Sequence, residues 1–342
     1  MPNQREIATL LGITQATVSM ALRGDRAISP EMRQRVLEAA EQLGYHPNAY
    51  VNVLMSHVRS GKKLKDEGVI AMLVDAPSQK EWHEVDSYRV FHQGVLRRSI
   101  ELGFQVECFF LREPNMNIAK LECILHTRNI QGIILAPPYR GNRSLDLHWE
   151  RYAAVGVGFG WEPQELDRVA YDNQQNFITA FQELLRLGYR RIGTVLDERF
   201  TTGNRCGIKW FTGYLECQNQ LSREYRIPAF ADTPTDITLP RFQKWYEKWR
   251  PDVLLTLTGR ERKWLDAMQL RVPEDVGLAC LAQQAQPDYA RIDENGEEVG
   301  ATASELVASK IARNEYGPPS RPKIIMIEGR WVDGVTVCKK GS

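Results

Sequence analysis

The chain has 342 residues, 43% of them hydrophobic and 25% charged, with a formal net charge of +1. This is enough apolar side chain for more than one core, and it excludes a disordered tail, a collagen-like fibre and a disulfide scaffold. No apolar run approaches the ~20 residues of a membrane helix, and Met1 to Glu6 lacks the basic and apolar regions of a secretion signal, so the expected place is the cytoplasm, with no membrane partner.

The near-neutral total hides a split. Residues 1–65 hold nine Lys/Arg and five acids, or +4, and the remainder sums to −3. A basic head on a mildly acidic body is the pattern of a nucleic-acid-binding module joined to a neutral domain. The six cysteines, Cys108, Cys123, Cys206, Cys217, Cys280 and Cys338, form no C-x-x-C pair, so neither a disulfide nor a zinc site is expected.

Three short helices are expected in the head. Asn3 can cap a first helix whose apolar face is Ile7, Ala8 and Leu11, and Gly12 ends it. Thr14 can cap a second, from about Gln15 to Leu22, with Val18 and Leu22 inward. The turn Leu-Gly-Ile-Thr between them has helix-turn-helix spacing. Ser29 as cap, Pro30 at the first helical position and Glu31 announce a third, running through Met32, Val36, Ala40 and Leu43 to Gly44.

The residues on this frame, Arg5 to Ser19 with Ala-Thr-Val-Ser at its end, then Leu22-Arg-Gly24, then Arg35 to Asn48 with Leu-Gly-Tyr-His-Pro-Asn, resemble the DNA-binding headpiece of the lactose-repressor (LacI/GalR) family of bacterial transcription regulators. In that arrangement Gln15 and Ala16 point toward base edges, where an amide pairs with adenine and a methyl packs on thymine. Thr17 and Ser19, with the backbone amides near Thr14, suit phosphates. Met20 stands where many relatives carry a polar reader, which leaves the operator sequence undetermined.

Pro47 to Leu54 matches the family's hinge segment: Asn48 is a good cap, and the helix after it is too short to persist alone in water. The resemblance implies that Leu54 wedges into the central minor groove from both subunits of a dimer. The alternative is an interdomain packing residue. Val51-Asn52-Val53 replaces the usual Ala-Arg-Ser before this Leu, and Arg59, Lys62, Lys63 and Lys65 either add phosphate contacts or stay solvated.

From Gly68 onward apolar runs at 69–74, 106–111, 132–136 and 153–159 alternate with helical segments near 88–102 and 118–128, the βαβα order of a parallel sheet. A second series follows: a helix through Phe177, Phe181, Leu184 and Leu185 closed by Gly188, then strands near 191–196, 253–257, 276–281 and 324–328. Asp172-Asn173, Leu187 to Gly193, Pro251-Asp252, Val272 to Val276 and Glu298 to Ala303 also fall in family order, resembling its type I periplasmic-binding-protein-like ligand domain.

The expected organisation is an all-α headpiece over 1–46, a hinge and linker over 47–67, and a two-lobe α/β domain with parallel sheets over 68–342. Its N-lobe takes about 68–162 and 291–320, and its C-lobe about 163–290 and 321–342. The chain would then cross between lobes near 162, 290 and 320.

The cleft between such lobes is where the sequence departs from the family. The Arg, the Asn-Asp pair and the Asp common in its sugar binders are replaced by Trp210, Thr258-Gly259 and Ala282. Trp82, Tyr88, Phe91, Trp161 and Arg260 are the further candidates, with Arg205 a neighbouring charge. Each ring either faces a ligand or fills a core. A stacked ligand and a wholly filled, ligand-free cleft both stay open.

Enzyme readings find no support: there is no Walker A, H-E-x-x-H or G-x-S-x-G pattern, and His46, His57, His83, His92, His126 and His148 are not at ligand spacing. Gly156-x-Gly-x-Gly160 is followed by Trp161-Glu-Pro163, which suits close backbone packing better than a pyrophosphate cradle. No cofactor or metal is expected. The reading is a homodimeric regulator that binds a double-stranded DNA operator, most often as a repressor, and responds to a small-molecule effector. The alternative is a cytoplasmic small-molecule-binding protein of the same fold without DNA binding.

Overall fold

The computed structural model describes residues 4–22, 28–42, 68–138, 143–162, 165–197, 207–232, 239–257, 259–282 and 287–340. The chain divides into two compact units, Met1–Lys65 and Asp66–Ser342.

The first unit has helices α1 (Gln4–Leu11), α2 (Gln15–Leu22) and α3 (Pro30–Gln42). Their starts are set by the expected caps: Thr17 N donates to Thr14 Oγ1 at 3.1 Å and Met32 N to Ser29 Oγ at 3.2 Å, each satisfying an orphan amide of a helix start. Gly12 turns the chain between α1 and α2 at φ +65°, a conformation strained for any residue with a Cβ. Ile7, Ala8, Val18, Ala21, Val36, Ala39 and Ala40 form the shared core, and Leu11, Ile13, Ile28 and Met32 pack on it.

The second unit holds two six-stranded sheets and a small two-stranded one. In chain order the N-lobe contributes β1 (Gly68–Val74), α4 (Gln79–Trp82), α5 (Asp86–Glu101), β2 (Phe104–Phe110), α6 (Ile118–Thr127), β3 (Gly132–Leu135), β4 (Arg143–Ser144), β5 (Ala153–Val157), β6 (Trp161–Glu162) and β7 (Asp167–Tyr171). The C-lobe follows with α7 (Asn173–Arg186), β8 (Ile192–Asp197), α8 (Gly207–Gln220), β9 (Phe230–Asp232), α9 (Leu239–Trp249), β10 (Val253–Thr256), α10 (Arg262–Ala267), β11 (Gly277–Cys280) and β12 (Ala290–Asp293). The chain then returns through α11 (Gly296–Arg313) and β13 (Ile324–Ile327) before ending beyond β14 (Arg330–Val332).

The N-lobe sheet, ordered β13-β7-β5-β3-β1-β2, is parallel throughout. The C-lobe sheet, ordered β14-β12-β11-β10-β8-β9, is parallel except for its antiparallel edge strand β14. Helices cover both faces of such a sheet, so central strands bury both faces and read as unbroken apolar runs. Ile70 to Val74 and Ile133 to Leu135 are fully buried for that reason.

Two helices of the N-lobe meet backbone to backbone. A Cβ at Gly94 in α5 would overlap the carbonyl of Glu297, and one at Gly300 in α11 would overlap that of Phe91. The approach needs glycine on both helices, and Ser99 Oγ donates to Ser304 Oγ at 3.0 Å in the same seam.

The passages between sheets differ from the expectation. β7 still belongs to the N-lobe sheet, so the first passage falls at Asp172, not near 162; the others follow Asp293 and Ile327. The strand β7 opens with Asp167-Arg168, which does not read as apolar, yet both are buried. Lys310 Nζ lies 2.8 Å from Asp167 Oδ2, and Lys323 N donates to Oδ1 at 2.8 Å, which pairs the charge that burial would otherwise penalise. At the passages, Asp172 caps α7 through Gln175 N at 3.0 Å, and Gly329 N donates to Asn176 Oδ1 at 2.7 Å.

Candidate nucleic-acid interface and ligand cleft

In the first unit, the start of α2 faces outward. Thr14 and Gln15 are exposed and Thr17 and Met20 half-buried, while Val18 between them is fully buried. The 3.6-residue period produces this division: Val18 turns to α1 and α3 and carries its neighbours to the other side. The Thr14 and Thr17 hydroxyls are 2.8 Å apart, so the cap and the first turn form one fixed polar group beside Gln15. Helix α2 contains no charged residue. What it can offer a partner is amide and hydroxyl hydrogen bonding, methyl contacts and the positive end of a helix dipole. The side chains of Ala16 and Ser19, and Asn48, Leu54 and the rest of the hinge, lie outside the described residues.

In the second unit, both sheets have the same switch point. Connections from β1 lead to β2 on one side while the next strand, β3, lies on the other, and β8, β9 and β10 repeat the pattern. Open α/β sheets bind ligands in the crevice outside the carboxyl ends of the strands at such a point. There the N-lobe presents Asp75 after β1, Ala136 after β3 and Arg112 after β2. The C-lobe presents Thr256 at the end of β10 and Cys280 at the end of β11.

The N-lobe edge is charged and paired. Arg112 forks onto Asp75, Nε to Oδ1 at 2.7 Å and Nη2 to Oδ2 at 2.9 Å, and Arg143 adds Nε to Oδ2 at 2.8 Å. The Asp75 side chain is 7% exposed and those of Arg112 and Arg143 are 31% and 40% exposed. The C-lobe edge is small and buried: Gly259 N donates to Thr256 Oγ1 at 3.0 Å, the Cys280 thiol is pushed up to about 12 by burial, and Glu261 is 3% exposed. Burial raises the Glu261 carboxyl, opposed by the charge of Arg260, whose Nε stands 3.4 Å from Oε1; Oε2 has no protein hydrogen-bond partner.

Four of the expected cleft aromatics are packed inside the lobes. Trp82 and Phe91 are fully buried in one N-lobe core, with Trp82 stacked on Tyr88 at 5.9 Å. Trp161 belongs to the core on another part of that lobe and donates Nε1 to Ala136 O at 2.6 Å. Trp210 sits in the C-lobe core with Phe177 and Tyr214. Of the two readings open for each ring, facing a ligand or filling a core, their burial accords with the core. Tyr88, half-buried, donates to Pro138 O at 3.3 Å, Ala282 is half-buried and Arg260 exposed, and Thr258 and Arg205 lie outside the described residues.

A ring the sequence did not single out spans the lobes instead. Phe159, just past β5, has the Arg168 guanidinium 5.9 Å and the C-lobe Lys209 ammonium 5.6 Å from its centroid, within cation–π range. Asp75, Arg112 and Arg143 were also missed; isolated charges far apart in sequence carry no local signal. The Gly156-Gly158-Gly160 run leads into β6, and among the described residues the next element is the strand β7. Among the described residues no helix is long and apolar enough to cross a membrane.

The comparisons agree with this architecture. The family described as bacterial regulatory proteins, lacI family, matches residues 4–48, and the periplasmic binding protein-like domain matches residues 181–337. The HTH-type transcriptional regulator CelR of Thermobifida fusca is 24% identical over 345 residues, covering 96% of each chain. Among solved structures, the CelR–cellobiose complex aligns over 98% of this chain and 100% of that one, with a TM-score of 0.56 and 20% identity. The lac repressor dimer bound to operator and the anti-inducer ONPF aligns over 98% and 99%, with a TM-score of 0.55 and 14% identity. Residues 4–48 thus carry a helix-turn-helix head of the lacI family of bacterial regulatory proteins, followed in the same chain by a periplasmic binding protein-like domain.

Proposed function

We propose that this transcription regulator binds a pseudo-palindromic operator as a homodimer, most often to repress, and that a small molecule between the lobes changes its affinity for DNA. The observation that carries the DNA reading is the outward start of α2, with Thr14 and Gln15 exposed above a fully buried Val18. A single helix of this size reads a few base pairs, so useful specificity needs two half-sites and a symmetric protein to match them. Gln15 reads one base edge, Thr14 and Thr17 hold phosphates, and Leu54 acts as the minor-groove wedge. No step of this function is catalytic, and the protein works in the cytoplasm.

The effector reading is supported by the paired switch points and by relatives whose solved complex contains cellobiose. To act on DNA affinity, a ligand must bind the two lobe arrangements unequally. The experiment is operator selection from a random DNA pool followed by fluorescence anisotropy across salt concentrations. Binding to the selected site should fall at least about tenfold between low and physiological salt. Gln15→Ala should relax preference at one base pair per half-site by about 1–3 kcal/mol with the salt slope unchanged. A full-length protein that selects no sequence, or that sediments as a monomer while bound to one, would overturn the reading.

A further inference from the structure

Helix α2 is apolar on both of its sides, which a helix that only packs against α1 and α3 does not need. Its sequence, Gln-Ala-Thr-Val-Ser-Met-Ala-Leu, contains no acidic and no basic residue. Val18 and Ala21, three residues apart, are buried in the core of the head. Met20 comes two residues after Val18, about 200° further round the helix at 3.6 residues per turn, and so lies on the side turned away from that core. The described, partly buried side chains that pack on the core are Leu11, Ile13, Ile28 and Met32; Met20 is half-buried without belonging to that group.

In a helix-turn-helix head the second helix enters the major groove of DNA. There guanine is read by Arg or Lys on O6 and N7, cytosine by a carboxylate on its amino group, adenine by an amide on N6 and N7, and thymine by an apolar group on its C5 methyl. With no charged residue, α2 lacks the first two means. The +4 charge of residues 1–65 lies wholly outside this helix, where it serves attraction to phosphates and not the reading of bases. A G·C edge pressed against the Met20 side chain would lose water from its polar atoms without gaining a partner. A thymine methyl in the same place buries apolar surface, and the unbranched methionine chain adapts to its position. We infer that Met20 reads a thymine: each operator half-site carries a T·A pair under the middle of α2, within about three base pairs of the pair that Gln15 contacts. Specificity then comes from methyl and amide contacts, not from guanine recognition by charge. This rests on the proposed operator binding and specifies the class of base pair that it selects.

The test uses the full-length protein and the operator obtained by selection from a random pool. Each thymine of a half-site is replaced in turn by deoxyuridine, which keeps the hydrogen-bonding edges and removes only the C5 methyl, and fluorescence anisotropy at one fixed salt concentration reads the affinity. At one thymine under α2 the replacement should weaken binding by about fourfold, the worth of one buried methyl, and by about fifteenfold when made in both half-sites. Met20→Ala should bind the thymine operator more weakly and lose the difference between thymine and deoxyuridine at that position alone, the mark of a direct contact in a double-mutant cycle. Met20→Arg should move the preference there to guanine. Melting temperature of each variant without DNA checks that the head is intact. Failure to select any sequence would strike the operator reading itself. A selected operator with G·C at every position within reach of α2, deoxyuridine costing less than about twofold at every thymine, or full deoxyuridine sensitivity kept by Met20→Ala would overturn the thymine assignment alone.

Discussion

The two lobes share one sheet order and one switch point, yet they handle buried polar groups in opposite ways. In the N-lobe the buried polar side chains come with partners from other elements: Asp167 with Lys310, Asp75 with Arg112 and Arg143, and the neutral His92 with His83 at 3.0 Å and Cys108 at 3.5 Å. In the C-lobe, buried atoms of Asn173, Asn176, Thr194, Gln218 and Glu261 have no protein hydrogen-bond partner, against Trp82 Nε1 alone among described N-lobe residues. The same topology can therefore be held together by paired charges or by apolar packing that tolerates orphaned dipoles. The first makes a lobe sensitive to loss of one partner, and the second leaves it room to gain stability.

The sharpest way to break this comparison is Lys310→Met. It leaves Asp167 buried with only a backbone donor, and unfolding free energy should fall by about 3–5 kcal/mol in a urea titration. A loss below about 1 kcal/mol would show that the pair is incidental. Asp75→Asn comes next. It keeps the shape but removes the charge between two guanidinium groups that are partly solvated, so a loss of about 2 kcal/mol is expected from the same measurement.

Acid should act on the N-lobe first. His92 is held down to about 4, mainly by burial and then by the charge of His83, whereas an unfolded histidine titrates near 6.5. Between those values the native state binds fewer protons than the unfolded one, so stability present above pH 6.5 is lost as pH falls toward 4. All six histidines lie before residue 149, and none falls in the C-lobe. Hydrogen exchange at pH 7 and pH 5 should show α5 and β2 losing protection by the equivalent of about 1–2 kcal/mol while β10 and β11 change less. Uniform loss across both sheets would remove His92 as the cause.

The smallest expected effect has the opposite sign. Thr194 in β8 is fully buried and its hydroxyl has no protein partner, so Thr194→Val should raise stability by about 0.5–1 kcal/mol, read as a higher denaturant midpoint. A destabilised variant would place a structural water on that hydroxyl and erase this part of the contrast between lobes.

Much of the architecture was legible because it rests on local chemistry. Thr14 and Ser29 cap helices wherever the following residues are helical, and Val69 to Val74, Ile133 to Leu135 and Val253 to Leu255 are β-branched or aliphatic runs that a doubly covered parallel sheet requires. The fold class, the order of elements and the outward face of α2 followed from such patterns. Strand β7 did not, because Asp167 and Arg168 look solvent-bound until Lys310, 143 residues later, lands beside one of them.

The cleft residues divide along the same line. Aromatic identity told that Trp82, Phe91, Trp161 and Trp210 would be largely hidden from water, but a ring gains much the same from a core as from a ligand, so only packing could place all four inside the lobes. Asp75, Arg112 and Arg143 are ordinary charges on three separate segments. They meet because parallel pairing of β1 with β2 brings the two strand ends side by side and β6 presents β4 to them. Caps, periods and apolar runs act over a few residues and are written in the sequence; the meeting of distant charges depends on strand order and register, which tertiary packing alone decides.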